Sequence, residues 1–253
     1  MSGFIGTLRS EVLQLQIALY ACRERLQAHT DDEALHDMRV CLRRLRSLLK
    51  PLKGAAGSDA LQQRAAELGR LSGPLRDLEV LIAMLRQQGE HAAADRRVAE
   101  QGSGETRLLA SRQLSALFRA LDEWPQELAR QHAGGELDAL HKSVRRYLRK
   151  QRTRLVEALR DAEHDRHRVR LLIKRVRYTA EAYPQLSPLS NQQLKLLKRG
   201  QAVLGDWHDH LQWLARAERE PDLQIFAAQW RQSMQAADQA AEGVQARLLA
   251  ALT

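Results

Sequence analysis

An eleven-residue basic pattern occurs twice in this chain, in one register, and it limits the possible folds more than any other feature. The first copy is His36-Asp37-Met38-Arg39-Val40-Cys41-Leu42-Arg43-Arg44-Leu45-Arg46. The second is His167-Arg168-Val169-Arg170-Leu171-Leu172-Ile173-Lys174-Arg175-Val176-Arg177. Both read H-x-x-R-x-x-x-[RK]-R-x-R, 131 positions apart. Another mark repeats at nearly that offset: Gly73-Pro74-Leu75-Arg76-Asp77 has a counterpart in Gly205-Asp206-Trp207-His208-Asp209, 132 positions on. Two marks at nearly one offset predict an internal duplication. We place the halves at residues 1–132 and 133–253 of a single 253-residue domain, long enough to bury a sizeable core.

The fold class follows from periodicity. Apolar residues recur at helical spacing along almost the whole chain, and no alternating strand pattern competes. Only 14 glycines and 6 prolines interrupt 253 residues, which suits helices. Leu8, Val12, Leu15, Leu19 and Leu26 predict a helix over about 5–29. Thr30, Asp31 and Asp32 offer caps for a second, to about Lys53, ended by Gly54 and Gly57. A third helix begins near Ser58, breaks at Gly73-Pro74 and resumes over Leu75–Gln88. Residues 89–104 read as a loop, and 105–121 as a helix broken by Trp124-Pro125. His132-Ala133-Gly134-Gly135 reads as a linker. Helices over 136–161, 164–182, 189–218 and 222–252 follow, with Pro184, Pro188 and Pro221 in the gaps. The expected architecture is all-α: two related four-helix bundles.

Helical phasing separates a basic face from a core face. At ~100° per residue, His36, Arg39, Arg43, Arg46 and Lys50 share an arc of roughly 80°. Leu35, Met38, Leu42, Leu45, Leu49 and Leu52 form a separate apolar stripe, and Arg44 lies off the basic one. In the second copy His167, Arg170, Lys174 and Arg177 share one arc beside Val169, Ile173, Val176 and Ala180. The position matching Lys50 is Glu181, so the second stripe is shorter or partly neutralised. From His36 to Lys50 the stripe spans roughly 21 Å at ~1.5 Å per residue, a length suited to an extended polyanion. Arg presents forked donors to phosphate oxygens, Lys a mobile point charge, and His a donor whose charged form an anion would favour.

A single basic stripe is usually just a solvated face. Two in identical register point further, because like charges at i, i+3 and i+4 cost helix stability unless compensated. Acidic residues are nearly absent from both stripes. The whole chain agrees: 40 Lys and Arg against 31 Asp and Glu give a formal charge of +9 and a pI near 10. That balance favours acidic partners. The two cysteines, Cys22 and Cys41, lie among helical apolar residues and read as reduced, packed thiols. No apolar run reaches membrane-spanning length, and the start MSGFIGTLRSEV carries no leader pattern; we expect a cytoplasmic protein.

At these residues the chain resembles the CHAD domain, the conserved histidine α-helical domain family. The resemblance rests on His36…Arg39…Arg43-Arg44…Arg46, on His167…Arg170…Lys174-Arg175…Arg177-Tyr178, and on the two Gly-to-Asp segments; it covers nearly the whole chain. It implies two helical bundles related by pseudo-twofold symmetry, with a basic groove or pore between them. It implies binding of inorganic polyphosphate and association with bacterial polyphosphate granules. It assigns the binding surface to His36, Arg39, Arg43, Arg46, His167, Arg170, Lys174 and Arg177; Lys50 is added by helix geometry alone. Arg44, Arg175, Lys142 and Arg149 are candidates to extend it. Family members are often fused to a triphosphate-hydrolysing CYTH domain, whose ExExK motif and β-rich segments are not found here. This chain resembles the stand-alone form.

Competing patterns carry less. His36-Asp37, His164-Asp165 and His208-Asp209 evoke metal-dependent phosphohydrolases. The repeat mate His167 is followed by Arg168, though, and an arginine stripe repels a metal cation. Glu33-x-x-His36 has the spacing of a di-iron helix motif but finds no second copy. His208 and His210 with Asp206 and Asp209 could also hold a metal; Asp77 and Asp209 read better as partners of arginines or supports of the motif helices. The basic run 141–154 suggests nucleic acid, yet aromatics make up 4% of the chain and Tyr147 stands nearly alone there. We expect a non-catalytic binder of polyphosphate with no catalytic residue, metal or cofactor. The alternative is a module for nucleic acid or phosphorylated protein; a metal-dependent phosphohydrolase ranks below both.

Overall fold

The computed structural model describes residues 2–55, 57–133, 139–161 and 165–253, and the structural statements below concern these. They form ten α-helices and two short 3-10 turns, with no β-strand among them. The chain divides into two compact units, Met1–Val144 and Arg145–Thr253. The division falls inside a helix, α7 (Leu140–Arg160); of the expected linker His132–Gly135, residues 134 and 135 lie outside the described residues.

The first unit contains α1 (Ser2–Ala28), α2 (Ala34–Leu49), α3 (Ser58–Leu71), α4 (Gly73–Gln87), α5 (His91–Leu109) and α6 (Arg112–Ala133). That makes six helices rather than four, for identifiable reasons. Gly73-Pro74 starts a new helix, because proline at the second helical position loses no hydrogen bond. Of residues 89–104, expected as a loop, all from His91 onward belong to α5. Before Leu108 its buried residues are Ala93, Ala94, Arg97, Gly104 and Glu105, small or polar side chains that show no hydrophobic period. A Cβ at Gly104 would stand 2.2 Å from Leu75 Cδ2, so this glycine permits the approach of α5 to α4. The expected break at Trp124-Pro125 is likewise absent. Pro125 sits inside α6, where buried Leu121, Trp124 and Leu128 hold the helix against the core across the missing N–H. Tertiary burial here outweighs the proline penalty of about 3 kcal/mol.

Helix α2 packs against both α1 and α3. Its apolar stripe is the core: Leu35, Met38, Leu42, Leu45 and Leu49 are at most 2% exposed. Each such side chain contributes about 1.5–3 kcal/mol of burial. The helix ends earlier than Lys53 and tightens into a 3-10 turn over Lys50–Leu52, with Pro51 in the turn and Lys50 still at helical dihedrals. Beyond it Gly57 takes a left-handed φ of 61° at the start of α3. Cys22 on α1 and Cys41 on α2 are buried free thiols.

The second unit holds most of α7, then α8 (Arg166–Ala182), α9 (Asn191–Ala217), a 3-10 turn over Pro221–Phe226, and α10 (Ala227–Leu252). Asp165 caps α8 by accepting from the His167 backbone N–H at 2.8 Å. Ser190 and Gln193 form a reciprocal capping box at α9. Val169, Ile173 and Val176 of α8 join Leu197 and Leu204 of α9 and Val244 and Leu248 of α10 in one core cluster. Gly200 faces this cluster, where a Cβ would meet Leu248 at 3.0 Å and Ile173 and Val244 at 3.3 Å. Unlike Gly73, Gly205 starts nothing: α9 runs through it, Asp206 standing where the first half has Pro74. No described helix is long and apolar enough to cross a membrane.

Candidate functional site

In the first unit the stripe on α2 lies outside the core, but its members are not equivalent. His36, Arg39 and Arg43 are half-buried, whereas Arg46 and Lys50 are exposed. Arg39 is built into the fold. Its Nη1 donates to the Gly69 carbonyl and to Ser72 Oγ, both at 3.0 Å, tying α2 to the end of α3. Burial lowers its pKa first; Asp77 opposes that, and Arg43 and Arg76 reinforce it. The segment beginning at Gly73 therefore stands beside the motif helix, and Asp77 supplies a counter-charge to Arg39. Small residues make room: a Cβ at Gly73 would stand 3.9 Å from Arg39 Nη1, and one at Gly69 3.5 Å from Arg46 Nη1. Arg44 points away from the stripe and pairs with Glu11 of α1 at 3.6 Å. Lys50 opens the 3-10 turn with helical dihedrals, so the stripe keeps its phase to the end.

In the second unit Arg170, Lys174 and Arg177 are half-buried on α8 and His167 is exposed. Arg177 donates from Nε to Glu181 Oε1 and from Nη1 to Gln201 Oε1, both at 2.8 Å, and its guanidinium lies 4.8 Å from the Tyr178 ring centre. The Glu181 departure seen in the sequence is thus a formed ion pair on the last turn of the stripe. Arg175 leans away from the stripe toward Gln151, at 3.4 Å, and lines a cavity of about 600 Å³ with Arg154, His167 and Arg168. Glu157 and Asp165 on the same wall offset part of that charge. Lys142 and Arg149 are both exposed on α7, Lys142 in the first unit and Arg149 in the second.

One member of the cluster was read differently from sequence. His208 of α9 lies with its ring 5.5 Å from that of His167. Burial, then the charges of Arg170, His167 and Lys174, push its pKa down to about 4. Its Nδ1 is buried without a hydrogen-bond partner. The signal was present in the 132-residue offset, which brings the Gly-to-Asp segment of each half beside its own motif helix; the His-Asp spelling drew attention to metals instead. His210, the other candidate ligand, is engaged elsewhere: its Nδ1 meets the Asp206 carbonyl at 2.7 Å and its ring stands edge-on to Trp213. No group of three or more His, Cys, Asp or Glu is arranged to hold a metal ion among the described residues. His164 lies outside them; its neighbour Asp165 is the cap of α8.

The geometry favours anions. Each motif helix carries a cationic row on its solvent side; Gly69, Ser72 and Gln201 accept from Arg39 and Arg177 of these rows, and Glu181 pairs with Arg177. Comparison with known proteins places this arrangement. A solved structure, the crystal structure of the CHAD domain from the plant Ricinus communis, shares the fold with a TM-score of 0.75 at 23% identity. The match covers 95% of this chain and 91% of that one. No curated protein matches the chain. The CHAD-domain family model matches residues 11–218, which include both basic copies and both Gly-to-Asp segments. The chain belongs to the CHAD-domain family.

Proposed function

We propose that this protein binds inorganic polyphosphate without chemically transforming it, through the rows His36, Arg39, Arg43, Arg46, Lys50 and His167, Arg170, Lys174, Arg177. The observation that carries the reading is the register-matched cationic row on α2 and on α8, each mounted on a helix whose other side is core. A linear polyanion with one charge per repeating unit matches a row of cations better than a single small phosphate does. The mechanism is multivalent neutralisation: guanidinium and ammonium groups displace the counterions of successive phosphates, so affinity falls steeply with salt. In a cell this activity would place the protein at polyphosphate granules. With nucleic acid the same charges would serve, but few aromatic faces are available for stacking bases.

Binding of size-defined polyphosphates across a salt series is the test. Arg43→Glu with Arg177→Glu should abolish binding while helicity is retained. Unchanged affinity in the folded double variant refutes the placement of the site. Failure of long-chain polyphosphate to displace RNA or DNA, at matched phosphate concentration, transfers the function to nucleic acid. Orthophosphate release from polyphosphate by the purified protein would contradict the non-catalytic reading.

A further inference from the structure

We infer that His208 is a further anion-contacting residue of the second unit, completing from α9 a cluster with His167, Arg170 and Lys174 of α8 that receives one phosphoryl group and becomes protonated as it does so. The inference rests on the polyphosphate reading above and adds to it a residue, a helix and a bound proton.

The argument starts from what His208 costs in the free protein. A half-buried imidazole beside one arginine, one lysine and a second imidazole is an unfavourable placement. The charges acting on it from α8 are Arg170, His167 and Lys174, all of one sign. Carboxylates on α10 do not offset them: Asp238 and Glu242 are spent on Arg166. On its own helix Asp206 and Asp209 are two residues before and one after, positions that do not share its face, and His210 is bonded to the Asp206 carbonyl. Its Nδ1 is a buried polar atom with no partner, an arrangement that native proteins seldom keep without a use.

An oxyanion lodged among these groups changes every term. It screens the repulsion from Arg170 and Lys174, supplies an acceptor for a ring N–H, and favours the imidazolium over the neutral ring. The neutral His208 of the free protein follows from burial and from its neighbours, with a pKa of about 4. In the complex both influences weaken, so the ring takes a proton from solvent as the phosphate enters. Neighbouring Arg170 and Lys174 place this event in the middle of the row, where a bound chain must pass.

The test is calorimetric titration of size-defined polyphosphate into the full-length protein at pH 6, in two buffers of different protonation enthalpy. Expected is a His208-dependent uptake of up to one proton per complex, missing in His208→Gln. The gain in affinity from pH 7.5 to pH 6 should be severalfold smaller in the variant. Histidine-ring NMR of the wild type makes the result independent of whether the variant folds: the His208 signal should titrate near 4 when free and above 6 when bound. Equal proton uptake by wild type and variant, or a ring signal unmoved by bound polyphosphate, overturns this inference and leaves the function standing. If polyphosphate does not bind, the function falls, and pyrophosphate replaces it as the NMR probe. A His208 ring indifferent to pyrophosphate as well overturns the cluster.

Discussion

Glu181→Gln should strengthen polyphosphate binding and steepen its salt dependence. In the free protein Arg177 gives its charge to Glu181 through a 2.8 Å bond, with side-chain exposures of 16% and 46%. The phosphate that approaches Arg177 meets a nearly neutral pair. Removing the carboxylate restores one full positive charge at the end of the second row. At ~6 Å in water the lost repulsion between Glu181 and a bound phosphate is about 0.7 kcal/mol, and salt at 0.1 M reduces it further. Freeing Arg177 from an exposed pair adds at most about 0.5 kcal/mol. Together these predict a roughly two- to fivefold gain in affinity. One more phosphate neutralised should steepen the slope of log K against log salt by about 0.7–0.9, taking nucleic-acid backbones as the guide. The assay is polyphosphate binding in a salt series. Glu24→Gln, which removes the acid beside Arg23 on α1, outside both rows, serves as control for net charge alone. An unchanged slope in folded Glu181→Gln, or an equal change in Glu24→Gln, refutes the assignment of Arg177 to the binding row.

Three further outcomes follow from the packing and the titrations. Arg39→Ala should lower stability by about 1–3 kcal/mol in denaturant unfolding, since it strands the Gly69 carbonyl and Ser72 hydroxyl, while exposed Arg46→Ala should stay within about 0.5 kcal/mol of wild type. Within α5, Gly102→Ala should stabilise by roughly 0.5–1 kcal/mol, because nothing lies within 4 Å of its Cβ, whereas Gly104→Ala should destabilise as its Cβ drives into Leu75; thermal melts of the two variants decide this. Stability should also fall with acid through His208. Its folded pKa of about 4 lies below the ordinary value near 6.5, so the unfolded chain binds more protons in that window. The contribution is complete above about pH 6.5 and is lost on the way down to 4; half-exposure limits it to on the order of 1 kcal/mol. His208→Gln should flatten the wild-type stability profile over that range, and a variant profile parallel to wild type would contradict the assignment.

The helices that were legible in the sequence are those with a long apolar period. Leu35, Met38, Leu42, Leu45 and Leu49 mark α2 unambiguously, and Val169, Ile173 and Val176 mark α8, because leucine and β-branched residues on one face leave a helix only one way to bury them. Helix α5 was not legible. Before Leu108 its buried residues are alanine, glycine and two charged residues, Arg97 and Glu105, a face that acquires meaning only when α4 is laid against it. Pro125 misled for the same reason: local propensity registers the missing hydrogen bond, while the burial of Trp124 that offsets it comes from the rest of the unit.

The candidate site divides along a similar line. Charge, spacing and helical phase are properties of one helix at a time, so the two cationic rows and the Glu181 exception could be read from the chain alone. Which cations are free to meet a ligand is settled by neighbours distant in sequence. Arg39 is anchored by Gly69 and Ser72, Arg44 turns to Glu11, Arg177 meets Gln201, and His208 arrives from another helix to stand against His167. The sequence by itself determined that the chain is helical, basic and patterned in two matching copies, because periodicity and charge are local quantities. The tertiary structure alone decided the partners of each cation and the protonation of His208, because contact and desolvation depend on what packs alongside.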